Sequence, residues 1–354
     1  MSNCNQLAIF NEAAKLSTYE IFVITGNEPK LFPYLKDLRL RKILKILELI
    51  ICHVKLGQKI LKNKYKDAII IHGFSTEFLI FTYLFSLFWT KNVYCLTHHN
   101  IQQAFQNPII RLTFKMYHSL RYKFIVNETS SVLKNLGFGK QEIAQHISLL
   151  HPVLKVDSSS IFDVDRIIGQ LNSDEIYKKK VGLVGKVRQG KQFDKTLDLL
   201  LKLQEKLDFS LIIGTDDFSS FNKINLAGAK LVNTSTKDNY LAVLSFCDII
   251  VLNYEQSKYF YRCSGVAADA IGTRTYVVCP NFPFMSNQID YPAQVGTLYE
   301  NESDLEMAIQ QALKLVSASD NTAFESHYTE RSIEKIASVL VKDIESRIVL
   351  NTGV

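Results

Sequence analysis

With 354 residues, 47% of them apolar and 21% charged, the chain has room for two ordinary domains and is too apolar for a disordered protein. Its six cysteines are scattered with no Cys-x-x-Cys pair, which argues against a zinc or disulfide framework and for a reducing compartment. The net charge of +6 is modest, but Lys30 to Lys66 carries eleven Lys or Arg against two acids, so the basicity is local.

The first element is "CNQLAIFNEAAKL", a predicted helix, followed by the strand "YEIFVITG". No signal-peptide pattern precedes them, so secretion is not expected, and the sequons at Asn127, Asn233 and Asn301 read as chance matches. A long basic helix comes next, with Leu35, Leu38, Ile43, Leu47, Ile50 and Val54 near helical spacing. Two readings of it stand side by side: docking on an anionic membrane surface, or packing on a sheet with a solvated Lys/Arg face. Nucleic acid is not an expected partner, because no reader module or aromatic-basic repeat accompanies the charge. The run Phe78 to Thr90 is too short to span a bilayer and is expected to be a buried or interfacial helix.

Strands "DAIIIHGFS", "NVYCLTHHN", "YKFIVNE" and "HISLLHP" complete the first half, with a helix "SSVLKNLG" that Gly137 stops. A polar Ser/Asp-rich stretch then lacks any period and is taken as a linker, residues 156–179. In the second half, strands "KKVGLVGKV", "FSLIIGTDD", "AKLVNTS", "CDIIVLNY" and "TYVVC" alternate with helices "FDKTLDLLLKLQEKL", "KDNYLAVLSF" and Ser264 to Ile271. The tail predicts two helices, one that Ser303 could cap and one beginning "ERSIEKIASV". This alternation implies α/β architecture with two parallel, doubly wound sheets, which place ligands at the carboxyl ends of their strands and in the cleft between them. The expected domains are 1–155 and 180–320, with a C-terminal helix in 321–354 packing back on the first.

Two stretches carry chemistry. In "GLVGKVRQGK" a strand ends at Gly185 and a short turn brings Lys186, Arg188 and Lys191 together before a helix. Three cations in one turn repel one another unless an anion or solvent screens them, so the turn reads either as a diphosphate clamp or as a solvated basic loop. In "YRCSGVAADAIGTRTYVV" Ser264 and Gly265 open a small-residue helix whose free N–H groups could meet a phosphate. Asp269, one turn further, lies too deep for capping and could accept from two ribose hydroxyls, or simply be an exposed helix acid.

Together these stretches resemble the GT-B glycosyltransferases of the family 4 type, over most of Lys180 to Val316. "GKVRQGK" is similar to the family's Gly-Arg and Lys-Gly pairs, with Lys186 in the arginine position and Lys191 in the lysine position. "DAIGTRTYVV" resembles the run that follows the second of two glutamates, with Asp269 in that glutamate's place and Gly272 near the expected glycine. Tyr261 falls where the first glutamate would be, so the family's retention of anomeric configuration is not carried over. "CDIIVLNY" and "VGTLYENESDLEMAIQQAL" resemble the donor domain's later strands and closing helix.

The resemblance implies a GT-B fold of two Rossmann-like domains and transfer of a sugar from a nucleotide diphosphate sugar to a sugar hydroxyl. The acceptor would be a saccharide or a lipid-linked saccharide of a surface polysaccharide, reached from the cytoplasm at the inner face of the plasma membrane. It implies that Gly185, Lys186, Arg188, Lys191, Ser264 and Gly265 hold the diphosphate, that Asp269 holds the ribose, and that Gly214 to Asp216 and Asn233 to Ser235 lie near the base. No cofactor and no metal are expected, since the lysines supply the charge. His99, which directly precedes Asn100 at a strand end, is the expected catalytic histidine, with His72, His98 and Tyr261 as further candidates. The resemblance also implies a first strand and glycine loop ahead of the first helix, and neither is visible. The other readings are a sugar-nucleotide epimerase of the same architecture and an inactive scaffold.

Overall fold

The computed structural model describes residues 2–25, 51, 54–63, 65–72, 92–156, 178–188, 190–217, 226, 228–316 and 321–352. Leu35, Leu38, Ile43, Leu47, Ile50, the Phe78–Thr90 run and most of the 156–179 segment lie outside them. The chain forms two compact units, Met1–Leu150 with Ile333–Val354, and His151–Ser332. It thus passes between units at Leu150–His151 and again at Ser332–Ile333, and the C-terminal segment is shared between them. Among the described residues no helix is long and apolar enough to cross a membrane.

The first unit opens with helix α1 (Ser2–Leu16) and strands β1 (Ile21–Thr25), β2 (Ala68–His72) and β3 (Asn92–Thr97). Helices α2 (Asn100–Gln106) and α3 (Pro108–Ser119) lead to β4 (Lys123–Asn127) and β5 (Ile147–Leu149). The five strands are parallel and their spatial order is their chain order, β1-β2-β3-β4-β5. Because β1 hydrogen-bonds directly to β2, from Ile21 opposite Ala68 to Thr25 opposite His72, no strand lies between them. Among the described residues the sheet holds these five strands alone, and no strand with a glycine loop of the kind expected is present.

Sequential order has a packing consequence. Right-handed crossovers that always step the same way put their helices on one face and leave the other bare. Phe124 meets Phe114 of α3 at 4.7 Å between ring centroids. Its neighbour Ile125 points the opposite way, into a cluster with Ile9, Phe10 and Ala13 of α1 and Ile336, Leu340 and Ile344 of the C-terminal helix Ile333–Thr352. The bare face is therefore closed by two helices from far apart in the chain. Leu340→Ala is expected to cost about 2–5 kcal/mol, read as earlier denaturant unfolding with faster hydrogen exchange in β3 and β4. The stretch "SSVLKNL" is a 3-10 helix, Ser130–Leu136, not an α-helix, and Gly137 ends it at φ +82° as expected.

The second unit contains β6 (Lys179–Val184), α4 (Phe193–Gln204), β7 (Phe209–Thr215), β8 (Lys230–Asn233), α5 (Lys237–Phe246) and β9 (Ile249–Val251). Then follow α6 (Gln256–Tyr259), α7 (Gly265–Gly272), β10 (Tyr276–Pro280), α8 (Pro283–Asp290), β11 (Gly296–Tyr299), α9 (Leu305–Leu315) and α10 (Asn321–Glu330). All six strands are parallel in the order β11-β10-β9-β6-β7-β8. Alternation divides the sheet's apolar residues: Val184, Ile212 and Ile250 face α5, α7 and α8, while Leu183, Leu211 and Ile249 face α4 and α9.

The tail differs from expectation in two places. Asn301, not Ser303, starts the turn before α9, its backbone N–H donating to Asp304 Oδ2 at 3.0 Å. The segment "ERSIEKIASV" is broken: α10 ends at Glu330, and the next helix starts at Ile333. Between them Arg331 turns inward and is fully buried.

Candidate functional site

From β6 the second sheet grows one way through β7 and β8 and the other way through β9, β10 and β11. At such a switch point the loops leaving adjacent strands diverge and open a crevice at the carboxyl ends. The two loops concerned are those after β6 and β9, which hold the two chemistry-bearing stretches.

Gly185 starts the first loop at φ +131°, its N–H donating to the Gly214 carbonyl at 2.8 Å. Any Cβ here would come within 2.9 Å of Lys191 Nζ, so the loop folds its own lysine over a residue without a side chain. Lys191 is only 8% exposed, and no carboxylate lies within ion-pair distance of it among the described residues. Its ammonium sits 5.7 Å from the Tyr254 ring centroid. Burial, then the charge of Arg188, push its pKa down to about 8, with Asp216 opposing them.

The three cations of this loop are not equivalent. Lys186 is 69% exposed and its Nζ pairs with Asp216 Oδ2 at 2.9 Å, so its charge is already answered. Arg188 is exposed with no acid partner among the described residues. The unneutralised charge therefore belongs to Lys191 and Arg188.

The second loop brings the start of α7 to the same place: Val266 Cγ2 is 3.8 Å from the Cβ position of Gly185. Ser264 is the N-cap, its Oγ accepting from Ala267 N–H at 3.1 Å and sharing a hydrogen bond with Tyr254 OH at 3.1 Å. Its own N–H is spent on Gln288 Oε1 at 2.8 Å, so it is not the phosphate donor. The N–H groups of Gly265 and Val266, first in the helix, find no acceptor among the described residues. The buried Lys191 ammonium and the Val266 side chain, from the first turn of α7, thus both lie against Gly185, and a helix start beside a cation suits an anion.

Asp269 lies one turn along α7 from Gly265. Tyr240 of α5 donates to its Oδ2 at 3.0 Å. Burial lifts its pKa to about 6 against that hydrogen bond. Tyr240 is invisible to local sequence reasoning, since its partner is 29 residues away and no motif announces the pair. Gln288 and Tyr254 carry no local signal for the same reason, and neither does the pairing of Asp216 with Lys186.

Gly214 serves packing as well as the Gly185 contact: a Cβ there would meet Thr234, Val243 and Val184 at 3.0–3.2 Å. Tyr261 is 1% exposed, its ring packed against Phe260 and Phe284 at 4.8 and 6.4 Å, so the structure places it in the core.

Of the three candidate histidines of the first unit, His72 and His98 have their ring centroids 5.8 Å apart at the ends of β2 and β3. His98 N–H donates to Asn100 Oδ1 at 3.1 Å, and burial holds His72 below the usual imidazole pKa. His99 is exposed at the start of α2. Beside them Gln6 Nε2 donates to Asn127 Oδ1 at 3.0 Å, both residues buried. Among the described residues, no group of three or more His, Cys, Asp or Glu is placed to hold a metal ion.

No family model matches the sequence, and no curated protein matches it significantly. Solved structures resemble it in fold. A glycosyltransferase from Rickettsia africae has 11% identity and a TM-score of 0.64, over 99% of this chain and 95% of that one. HepE from Anabaena in complex with UDP has 12% identity and a TM-score of 0.61, over 97% and 96%. The E. coli trehalose-6-phosphate structure bound with UDP-2-fluoro glucose has 10% identity and a TM-score of 0.59, over 96% of each chain. The chain has the GT-B fold, two parallel-sheet α/β domains.

Proposed function

We propose that this chain is a glycosyltransferase that moves a sugar from a nucleotide diphosphate sugar to a sugar hydroxyl. One observation carries the reading: Lys191 Nζ is buried over Gly185 at the start of a helix with two free amides. The similar folds of HepE and the E. coli protein, both solved with uridine nucleotides, support a UDP-linked donor. Bound there, the diphosphate lies under Lys191 and Arg188 and against the Gly265 and Val266 amides, while the free oxygen of Asp269 accepts from the ribose. As the acceptor oxygen bonds to the anomeric carbon, the bond to the diphosphate breaks and its electron pair goes to the phosphate oxygen. Lys191 and the amides stabilise that growing charge. The acceptor hydroxyl must give up its proton to a base, and His99 is the residue we put forward for that role.

The acceptor is proposed to be a saccharide of a surface polysaccharide, free or lipid-linked, reached from the cytoplasm at a membrane surface. No metal is assigned, because the cations and amides carry the electrostatic role. The buried position of Tyr261 favours one other reading, a nucleotide-binding scaffold without transfer. Calorimetric titration with UDP, followed by assay of UDP release from UDP-sugars with and without oligosaccharide acceptors, tests the proposal. Absence of UDP binding at millimolar concentration would overturn it, and binding without release would favour the scaffold.

The pKa shifts set the expected pH dependence. Below about 6 Asp269 takes up a proton and loses acceptor capacity, and above about 8 Lys191 loses its charge. The UDP association constant should therefore be bell-shaped with limbs near those values, as should kcat/KM. A flat profile from pH 5 to 9 would remove both residues from the site.

A further inference from the structure

The second loop holds another cation that the donor-site reading does not use. Arg262 lies two residues before the Ser264 cap, its guanidinium 5.5 Å from the Tyr259 ring centroid. Tyr259 stacks on Tyr254 at 4.4 Å, and Tyr254 is the ring that Lys191 touches. The two cations therefore sit on different rings of one stacked pair. Arg262 Nε is buried without a hydrogen-bond partner, and no carboxylate lies within ion-pair distance of the side chain among the described residues. The nearby acid, Glu255, is engaged by Ser257 Oγ and by Lys258 at 3.9 Å.

Charge counting makes this unusual. A nucleotide diphosphate sugar carries one negative charge on each phosphate, and Lys191, Arg188 and two amides match them. Arg262 is a surplus cation, partly withdrawn from water with an unmet donor, and such a group is costly unless an anion answers it. We infer that Arg262 forms a second anion subsite, reached from the Lys191 loop through the stacked Tyr254 and Tyr259 rings, and takes one further oxyanion of the bound donor. This rests on the donor-site reading above and adds a ligand class to it. With the diphosphate already matched, the oxyanion left for it is a carboxylate on the sugar being transferred, as in a hexuronic acid donor.

Titration of the full-length parent, Arg262→Gln and Arg262→Lys with UDP, UDP-glucose and UDP-glucuronic acid tests this. The parent is expected to prefer UDP-glucuronic acid, and Arg262→Gln to lose about tenfold or more in affinity for that nucleotide alone. An equal loss for all three would place Arg262 on the diphosphate itself and overturn the second subsite. Arg262→Lys, which keeps the charge, recovers part of the loss, and melting temperatures of the ligand-free proteins show whether each variant is folded. Equal affinity of parent and folded Arg262→Gln for every nucleotide overturns the subsite while leaving the donor site intact. A parent that binds none of the three overturns the donor site itself.

Discussion

Replacing Lys191 by methionine is expected to weaken UDP binding by about a hundredfold or more while leaving the ligand-free protein as stable as the parent, or more stable. The two effects share a cause. An ammonium buried without an acid partner is poorly solvated, which is why its pKa lies near 8 rather than at the ordinary 10.5. Between those values the unfolded chain binds more protons at this lysine than the folded one, so its contribution to stability rises with pH across that window. Below about 8 the penalty is present in full, and methionine removes it while keeping the aliphatic bulk. Titration with UDP, and urea unfolding at pH 7 and at pH 9.5, check both halves. The parent should gain stability between the two pH values relative to the variant. A variant that binds UDP like the parent would show that the lysine faces no phosphate.

The other large effect is expected at Arg331, which sits at the break between α10 and the C-terminal helix. Its side chain is fully buried and spent on carbonyls: Nε donates to Tyr291 at 3.0 Å, Nη2 to Asn287 at 2.6 Å and Tyr291 at 2.9 Å, and Nη1 to His151 at 3.3 Å. Its own carbonyl accepts from Val153 N–H at 3.0 Å. Arg331→Met should leave three carbonyls, of which that of His151 is buried, without these donors and cost about 3 kcal/mol. Because the chain has two units, the test is which protons lose protection. Hydrogen exchange should accelerate in α8 and β10, with UDP affinity of the folded fraction unchanged. A loss below about 1 kcal/mol would mean that water replaces the guanidinium, making Arg331 a surface residue in effect.

How much of this was legible beforehand depends on how local each signal is. Strands such as "DAIIIHG" and "CDIIVLNY" declare themselves within a few residues, because both faces of a parallel sheet are covered. The Ser264 cap and the Gly185 loop were readable for the same reason, since each is a short run with one conformational requirement. The Lys186–Asp216 pair, the Tyr240–Asp269 hydrogen bond and the Arg331 carbonyl set were not, because each joins residues that only the folded sheet makes neighbours. The loop "GKVRQGK" looked like three equal cations until a strand 30 residues on supplied an acid for one of them. Likewise Tyr261 stood in a candidate position by alignment of motifs, yet an aromatic ring there finds Phe260 and Phe284 and goes inside.

The closing of the first sheet by α1 and the helix Ile333–Thr352 has a consequence for synthesis. The second unit is one uninterrupted segment and can mature as soon as it clears the ribosome. The first unit, although translated earlier, must wait with the part of its apolar face that α1 does not cover still open until the helix Ile333–Thr352 emerges. The nascent chain is thus most prone to misassociation not at its start but while its middle is already folded, and chaperone demand should peak there.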